Sequence, residues 1–427
     1  MTTPPPGSLS RGRMFALVLI LAGLTGLGPV AMDVYLPAFP EIARHFGATQ
    51  GQVQLTLTLN VIGLVVGQLV LSPLTDQRGR RGILLGSLAL TLATSLAAAW
   101  APSIGFLTVD RLLQGIGSGA CIAIARAIGA DVAKGAAAAR LFSLFITLSA
   151  VGPIVAPVLG AQLLMWTGSW RSMFILMGVV AAVLLVAVAL LVPETLAPAD
   201  RHTGGLRDIG ITFTRLIGDR VFLGYALTVI FAYSAMFAYL AAGSFVLEEQ
   251  FGLSARGYAI VFAVNSVGLL SLGFLNARLV RTRAPRRLLI AALAAATLAA
   301  GVLAIAVLGT GWGLAAILPM LFIVVATRGM ITPNAMVLGV QRSSATGAAS
   351  AILGAFMFAG GIIVTPFVGL TPDRPSVAMA IAIAAGTLLA LASTVVLTRH
   401  SGARTSGARK ATGGDDAAHP GATPMDR

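Results

Sequence analysis

The chain is 427 residues long, with 57% hydrophobic residues, only 10% charged residues and a net charge of +14. Soluble domains carry about 25% charged residues, so this composition excludes a water-soluble globular protein. The single cysteine, Cys121, excludes a disulfide framework and a thiolate metal site.

Uncharged stretches recur along the chain, each longer than the roughly 20 residues that cross about 30 Å of hydrocarbon. They predict an all-α integral membrane protein with twelve transmembrane helices in two six-helix bundles. The expected spans are 14–36, 50–74, 82–100, 103–129, 141–165, 171–192, 219–246, 256–279, 288–309, 313–336, 345–371 and 375–397. The short alternating strands of a membrane β-barrel do not occur. Residues 1–13 are expected as an N-terminal tail, 14–192 as the first bundle and 193–218 as a linker. Residues 219–397 are the second bundle, and 398–427 have the composition of a disordered tail. Met14–Met32 follows Arg11 and Arg13 as a signal peptide would, but its length and the eleven spans after it make it a retained first helix.

With alternate loops on opposite sides, 22 of the 29 basic residues fall on the side that holds both termini, and four on the other. The remaining three, Arg111, Arg126 and Arg328, lie in or at the ends of spans. This bias predicts a cell-membrane protein with both termini cytoplasmic. The basicity is therefore topological, and nucleic acid is not an expected partner.

In chain order, the first span runs into AMDVYLPAFP (31–40). Asp33 lies about 28 Å along the helix from Met14, toward the outer side. Pro37 and Pro40 are expected to end the helix there, where freed backbone groups reach water. The second and third spans are joined by SPLTDQRGRR (72–81). Gly79 supplies a tight turn, Arg81 adds cytoplasmic charge, and Asp76 can face the positive end of another helix. Arg80 can pair with Asp131, which closes the fourth span on the same face.

The fourth span contains DRLLQGIGSGACIAIARAIGAD (110–131). Arg111 is about nine residues inside it, roughly 13 Å deep. An ionised group there costs about 2.5–3.5 kcal/mol on insertion scales, so it must face the interior and find a partner. Gln114 shares its face, and Gly115 and Gly117 permit close helix approach. Asp110, adjacent in sequence, points about 100° away and is not the expected partner. Asp33 and Arg111 are instead expected to share one cavity as a switchable pair. Burial raises a carboxylate's pKa and a nearby arginine lowers it, so moving Arg111 would load or unload a proton on Asp33. Whether Asp33 or Asp110 carries the proton stays open.

In the fifth span, SAVGPIVAPVLGAQL (149–163), Pro153 and Pro157 each remove a helical hydrogen bond. Gly152, Ala156 and Gly160 form a small-residue strip suited to packing on another helix. PETLAPADRHTGGLRDIG (193–210) then divides the chain six plus six. QRGRRGILL (77–85) is echoed by TRAPRRLLI (282–290), which suggests repeated halves that rock about a central site. Tyr233, Phe237 and Tyr239 in the seventh span, Asn265 in the eighth, and Tyr35 and Gln114 in the first half are the candidate substrate-cavity residues. Aromatics with few charges suit neutral or weakly charged amphipathic compounds. Arg328 is expected toward the cytoplasm, meeting either an anionic substrate group or a helix end.

Several of these stretches resemble the major facilitator superfamily. SPLTDQRGRR is similar to its loop signature G-x-L-x-D-R-x-G-R-R, with Ser72 and Gln77 as departures. Arg111 and Gln114 resemble its fourth-helix R-x-x-Q-G motif, whose arginine the resemblance associates with proton coupling. Asp110 stands where that motif is usually apolar. GPIVAPVLG resembles the antiporter motif of drug exporters, and MDVYLPAFP the first-helix signature of the bicyclomycin/chloramphenicol-resistance subfamily. Gly243 and Ser244 occupy a place where that subfamily usually has Ser-Pro.

The resemblance implies a proton-coupled exporter of small amphipathic compounds, working by alternating access as a monomer, with no cofactor beyond the proton gradient. The alternative on the same fold is a proton-linked transporter of one endogenous metabolite. A receptor that has lost transport need not keep Asp33, Arg111 and Gln114 in the membrane. An enzyme is disfavoured: the sequence has no His/Cys metal cluster and no P-loop, and His45, His202, His400 and His419 are expected in loops or tails.

Overall fold

The computed structural model describes residues 11–132, 152, 155–196, 214–309, 313–342, 346–369 and 374–398. Among these, eleven helices are long and apolar enough to cross a membrane, and a shorter apolar helix, Val155–Thr167, stands at the fifth expected span. The helices follow the order of the uncharged stretches because each stretch can satisfy its backbone polar groups in lipid only by forming a helix.

The first six are Arg11–Asp33, Gln50–Val66, Arg80–Ala99, Ile104–Val132, Val155–Thr167 and Arg171–Leu191. The second six are Arg220–Ser244, Ala255–Leu279, Pro285–Leu308, Gly313–Val340, Thr346–Gly369 and Pro375–Leu397. They are called below by their ordinal places.

Local chemistry sets several of the ends. Thr49 and Gln52 form a reciprocal capping box that starts the second helix. Asp219 accepts from the backbone N–H groups of Val221 and Phe222 and so starts the seventh. Gly79, at φ +98°, makes the turn between the short helix Ser72–Arg78 and the third helix, a conformation that side chains other than glycine's rarely adopt. The second and fourth helices pack backbone to backbone: a Cβ on Gly63 would collide with the Leu112 carbonyl, and one on Gly115 with that of Asn60.

The first helix does not end as expected. Asp33 is its last residue, but the chain does not emerge into water at Pro37 and Pro40. It continues through a 3-10 turn, Leu36–Ala38, into a second short helix, Phe39–Phe46, which also takes His45 out of a loop. Leu36, Pro37, Ala38, Phe39, Pro40 and Ile42 are all buried. Pro40 sits in the first turn of the new helix, where its missing N–H leaves nothing unsatisfied.

That short helix marks the end of the molecule at which the two halves meet. The Phe39 and Phe245 rings lie 6.1 Å apart, and Gln54 Nε2 donates to the Ala241 carbonyl at 3.0 Å. The second and eleventh helices approach closely at Gly51 and Gly369. The opposite end carries Arg80, Arg81, Asp131, Glu194, Asp219 and Arg342. The ion pairs of Arg80 with Asp131 and of Arg342 with Asp219 each join residues of one half.

Candidate functional site

The fourth helix carries Arg111 into a closed pocket of the first half, with none of its surface exposed. Its guanidinium lies 4.2 Å from the Tyr35 ring centroid and 5.6 Å from that of Phe174. It donates to Gln114 Oε1 and, at 3.1 Å, to the carbonyl of Ala31. Gln114 passes the chain on to Ser95 Oγ at 2.7 Å, and the Tyr35 hydroxyl meets Thr56 Oγ1 at 3.2 Å. The end of the first helix explains the Ala31 contact. In a continuing helix that carbonyl would accept from residue 35, but the helix stops at Asp33 and leaves it free. Aromatic faces and neutral acceptors thus hold Arg111, as a desolvated cation requires.

Asp33 is 5% exposed. Among the described residues, nothing in the protein donates a hydrogen bond to its carboxylate. It also has no ion pair within 4.0 Å. The cation whose charge bears on it is Arg328, not Arg111. The expected Asp33–Arg111 pair is therefore corrected. The break after Asp33 turns Tyr35 and the Ala31 carbonyl onto Arg111 and leaves Asp33 to the field of the second half. Asp110, also 5% exposed, does feel the charge of Arg111, although its Oδ2 has no hydrogen-bond partner among the described residues.

Arg328 overturns its expected place as well. It lies about 15 residues into the tenth helix, roughly 22 Å from the start and near the middle, rather than at an end. It is 8% exposed, its guanidinium is stacked 4.1 Å from the Tyr233 centroid, and Asp33 acts on it electrostatically. Its Nε has no hydrogen-bond partner among the described residues.

The six candidate cavity residues fall into separate groups. Tyr35 and Gln114 serve Arg111, and Tyr233 serves Arg328. Asn265 donates to the Tyr239 hydroxyl at 3.2 Å, and the Tyr239 ring stacks on Phe262 at 5.7 Å. Phe237 is buried against Gly361 of the eleventh helix. An apolar hollow of about 480 Å³ runs between the fifth, eighth and tenth helices, with Val158, Val264, Phe322 and Thr327 in its wall.

At the arginine-rich end, Arg80 Nε meets Asp131 Oδ2 at 3.2 Å, as its place in sequence suggested. Arg80 also donates to Thr75 Oγ1 at 2.8 Å, and Arg81 to the Ala189 carbonyl at 2.7 Å. The side chain of Asp76 lies outside the described residues. The acid found at a helix N-terminus here is Glu194, which sequence reasoning missed. Its two oxygens accept from the backbone N–H groups of Arg80 and Arg81 at 2.8 and 3.1 Å, while Thr195 donates to Asp131 at 2.9 Å. An acid in the first turn of a linker, opposite a loop of arginines, was the available signal. On the fifth helix, Pro153 lies outside the described residues. Gly152 lies near Val30, and a Cβ on Gly160 would collide with the Val34 carbonyl, so the small-residue strip packs on the first helix. Ala156 and Pro157 are buried. Among the described residues no three His, Cys, Asp or Glu side chains gather as a metal site.

The family model described as Major Facilitator Superfamily matches residues 18–366. The chain is similar to the "Uncharacterized MFS-type transporter YdgK" of Bacillus subtilis, 35% identical over 83% of this chain and 89% of that protein. It is 29% identical to the "Bicyclomycin resistance protein homolog" of Haemophilus influenzae, over 62% of this chain and 67% of that one. It is 27% identical to the "Chloramphenicol resistance protein" of Pseudomonas aeruginosa, over 63% of each chain. Among solved structures, a D-xylose–proton symporter superposes with a TM-score of 0.71 at 18% identity, over 90% of this chain and 99% of that one.

Proposed function

The chain belongs to the major facilitator superfamily, and from that premise we propose that it exports small amphipathic compounds, antibiotics among them, from the cytoplasm in exchange for protons. The observation that carries this reading is Asp33: a carboxylate buried where the first helix breaks, without a hydrogen bond or ion pair among the described residues, facing a cation of the other half. A carboxylate so placed holds a charge that protonation removes, and its electrostatic balance changes whenever the halves move. The names of the resistance-protein relatives support export of antibiotics over uptake of nutrients.

The excess of basic residues assigns the Arg80–Asp131 end to the cytoplasm and the Phe39–Phe46 end to the outside. In that orientation the contacts of Phe39 with Phe245 and of Gln54 with Ala241 close the outer side. Asp33 then exchanges its proton inward, and substrate that enters from the cytoplasm takes the place of that proton. Rocking of the halves opens the outer side, substrate leaves, and Asp33 is reprotonated from outside. The Arg80–Asp131–Thr195 cluster and the Glu194 cap hold the cytoplasmic ends of the first half as one unit during this motion. Arg111 keeps the break of the first helix in shape through Ala31 and Tyr35. A single chain contains both halves, so a monomer in the lipid bilayer completes the cycle.

The test uses inside-out vesicles with an acidified lumen, a pH-sensitive dye and a panel of antibiotics. Substrate-induced alkalinisation of the lumen is expected with the wild type and absent with Asp33→Asn. If no compound moves protons with the wild type, the antiport reading falls. If the Asn variant responds as the wild type does, Asp33 is removed from the proton's path.

A further inference from the structure

The two arginine-rich loops that echo one another are compensated differently. In the first half Arg80 pairs with Asp131, and Glu194 accepts from the backbone N–H groups of Arg80 and Arg81. In the second half Arg286 and Arg287 hold the corresponding places, with Arg278, Arg281 and Arg283 just before them. No Asp or Glu occurs in the sequence between Glu249 and Asp373. Among the described residues, none of these five arginines has a carboxylate within 4.0 Å. Arg286 donates to the neutral Thr398 hydroxyl at 3.3 Å, while Arg278, Arg281, Arg283 and Arg287 are exposed. Cations gathered this closely repel one another, and an anion set among them relieves the repulsion.

The eighth helix shows what kind of anion fits. Ile260, Val264, Val267, Ser271, Phe274 and Arg278 recur at three- and four-residue spacing, share one face and are all exposed. On a membrane-spanning helix such a stripe faces lipid chains. Arg278 ends it one turn beyond Phe274, where a long side chain reaches the headgroups. The apolar hollow of about 480 Å³ lies along the same stripe, with Val264, Val267 and Ser271 in its wall. Ser271 precedes Arg278 by about 10 Å of helix, within the roughly 15 Å of hydrocarbon that one leaflet supplies.

We propose that the arginine-rich end of the eighth helix binds an anionic phospholipid, its phosphate on Arg278, Arg281 and Arg283 and one acyl chain along Phe274 with its end in the hollow. The site is independent of what the protein transports. Charge complementarity names the headgroup, since phosphate oxygens suit guanidinium forks and basic clusters at a helix end draw anionic lipid. The stripe names the rest: a soluble anion would leave the apolar groove beside it unused.

The experiment measures equilibrium binding to the full chain in detergent at low salt, with two fluorescent phospholipids of identical chains. Phosphatidylglycerol is an anion, and phosphatidylcholine has no net charge. The anion is expected to bind about tenfold more tightly. Arg278→Gln, Arg281→Gln and Arg283→Gln together should bring it to the level of phosphatidylcholine. Phosphatidylcholine affinity kept in that variant shows that the chain is still folded. A matched control removes three charges from the tail, with Arg404→Gln, Arg409→Gln and Lys410→Gln, and should keep most of the preference. Val267→Trp fills the hollow and should weaken both lipids severalfold without changing their ratio. The proposal is overturned if the two lipids bind the wild type equally, if the preference survives the three loop substitutions, or if the tail variant loses it as fully. Displacement of phosphatidylglycerol by millimolar inorganic phosphate overturns the lipid as occupant and leaves a phosphate site. Binding unchanged in Val267→Trp overturns the hollow as the seat of the chain.

Discussion

The two halves of the molecule each bury one arginine at mid-helix over a tyrosine ring, Arg111 on Tyr35 and Arg328 on Tyr233, at nearly equal distances of 4.2 and 4.1 Å. Their surroundings differ. Arg111 has a second ring from Phe174, an amide from Gln114 and a carbonyl that the broken first helix sets free. Arg328 has one tyrosine and, across the interface, a carboxylate it does not touch. The same residue type is thus a packing element in one half and a charge in reserve in the other. Burial does not separate the two roles, and both Nε atoms lack a hydrogen-bond partner among the described residues; the two bonded terminal nitrogens of Arg111 do.

Replacing each arginine by Met tests this contrast most strongly. Arg111→Met strands Gln114 and the Ala31 carbonyl in a sealed pocket and should destabilise the protein by about 3 kcal/mol. Arg328→Met removes a poorly satisfied cation and should leave thermal stability in detergent nearly unchanged, or raise it. Equal losses would erase the distinction. The tyrosines give the next largest effect. Tyr35→Leu loses one of the two ring contacts of Arg111 and the Thr56 bond, an expected cost of about 2 kcal/mol. Tyr233→Leu should cost less in stability and appear chiefly as weaker binding or slower transport.

The arginine-rich ends extend the comparison at a smaller scale. Glu194→Gln removes the charge that two backbone N–H groups of the third helix use, and a loss of about 1 kcal/mol is expected. Arg342→Gln breaks the more exposed pair with Asp219, with side chains 27% and 32% exposed, and should change stability by about 0.5 kcal/mol or less. Thermal unfolding of both variants in one detergent measures the ranking. The smallest effect on stability is expected at Asp33. Asp33→Asn makes neutral a carboxylate that lacks a hydrogen bond among the described residues, so the melting temperature should hold or rise while proton exchange is lost.

Much of this was legible in the sequence because lipid permits few solutions. Uncharged runs had to be helices, Arg111 had to face inward, and Gln114 had to share its face. Arg80 and Asp131 were readable as a pair because both sit at helix ends on one face of the membrane. Asp33 was readable as an awkward carboxylate, but its partner was not. Sequence spacing fixes neighbours within a helix, whereas the charges of the other half that bear on Asp33 are set by the docking of one half on the other. Glu194 escaped for a related reason: its value lies in the backbone N–H groups of a helix more than a hundred residues earlier, and backbone donors carry no sequence signal.

The amino-acid sequence by itself determined the class of the protein, the order of its apolar helices and the residues too polar to sit idle in a membrane. Those follow from hydrocarbon thickness and the cost of charge within it. Only the tertiary structure decided which charge answers which. It placed Arg111 among neutral partners, carried the buried turn Leu36–Ala38 into a second helix instead of into water, and set Asp33 opposite Arg328. Coulomb's law acts on distances through space, and those are set by how the helices pack.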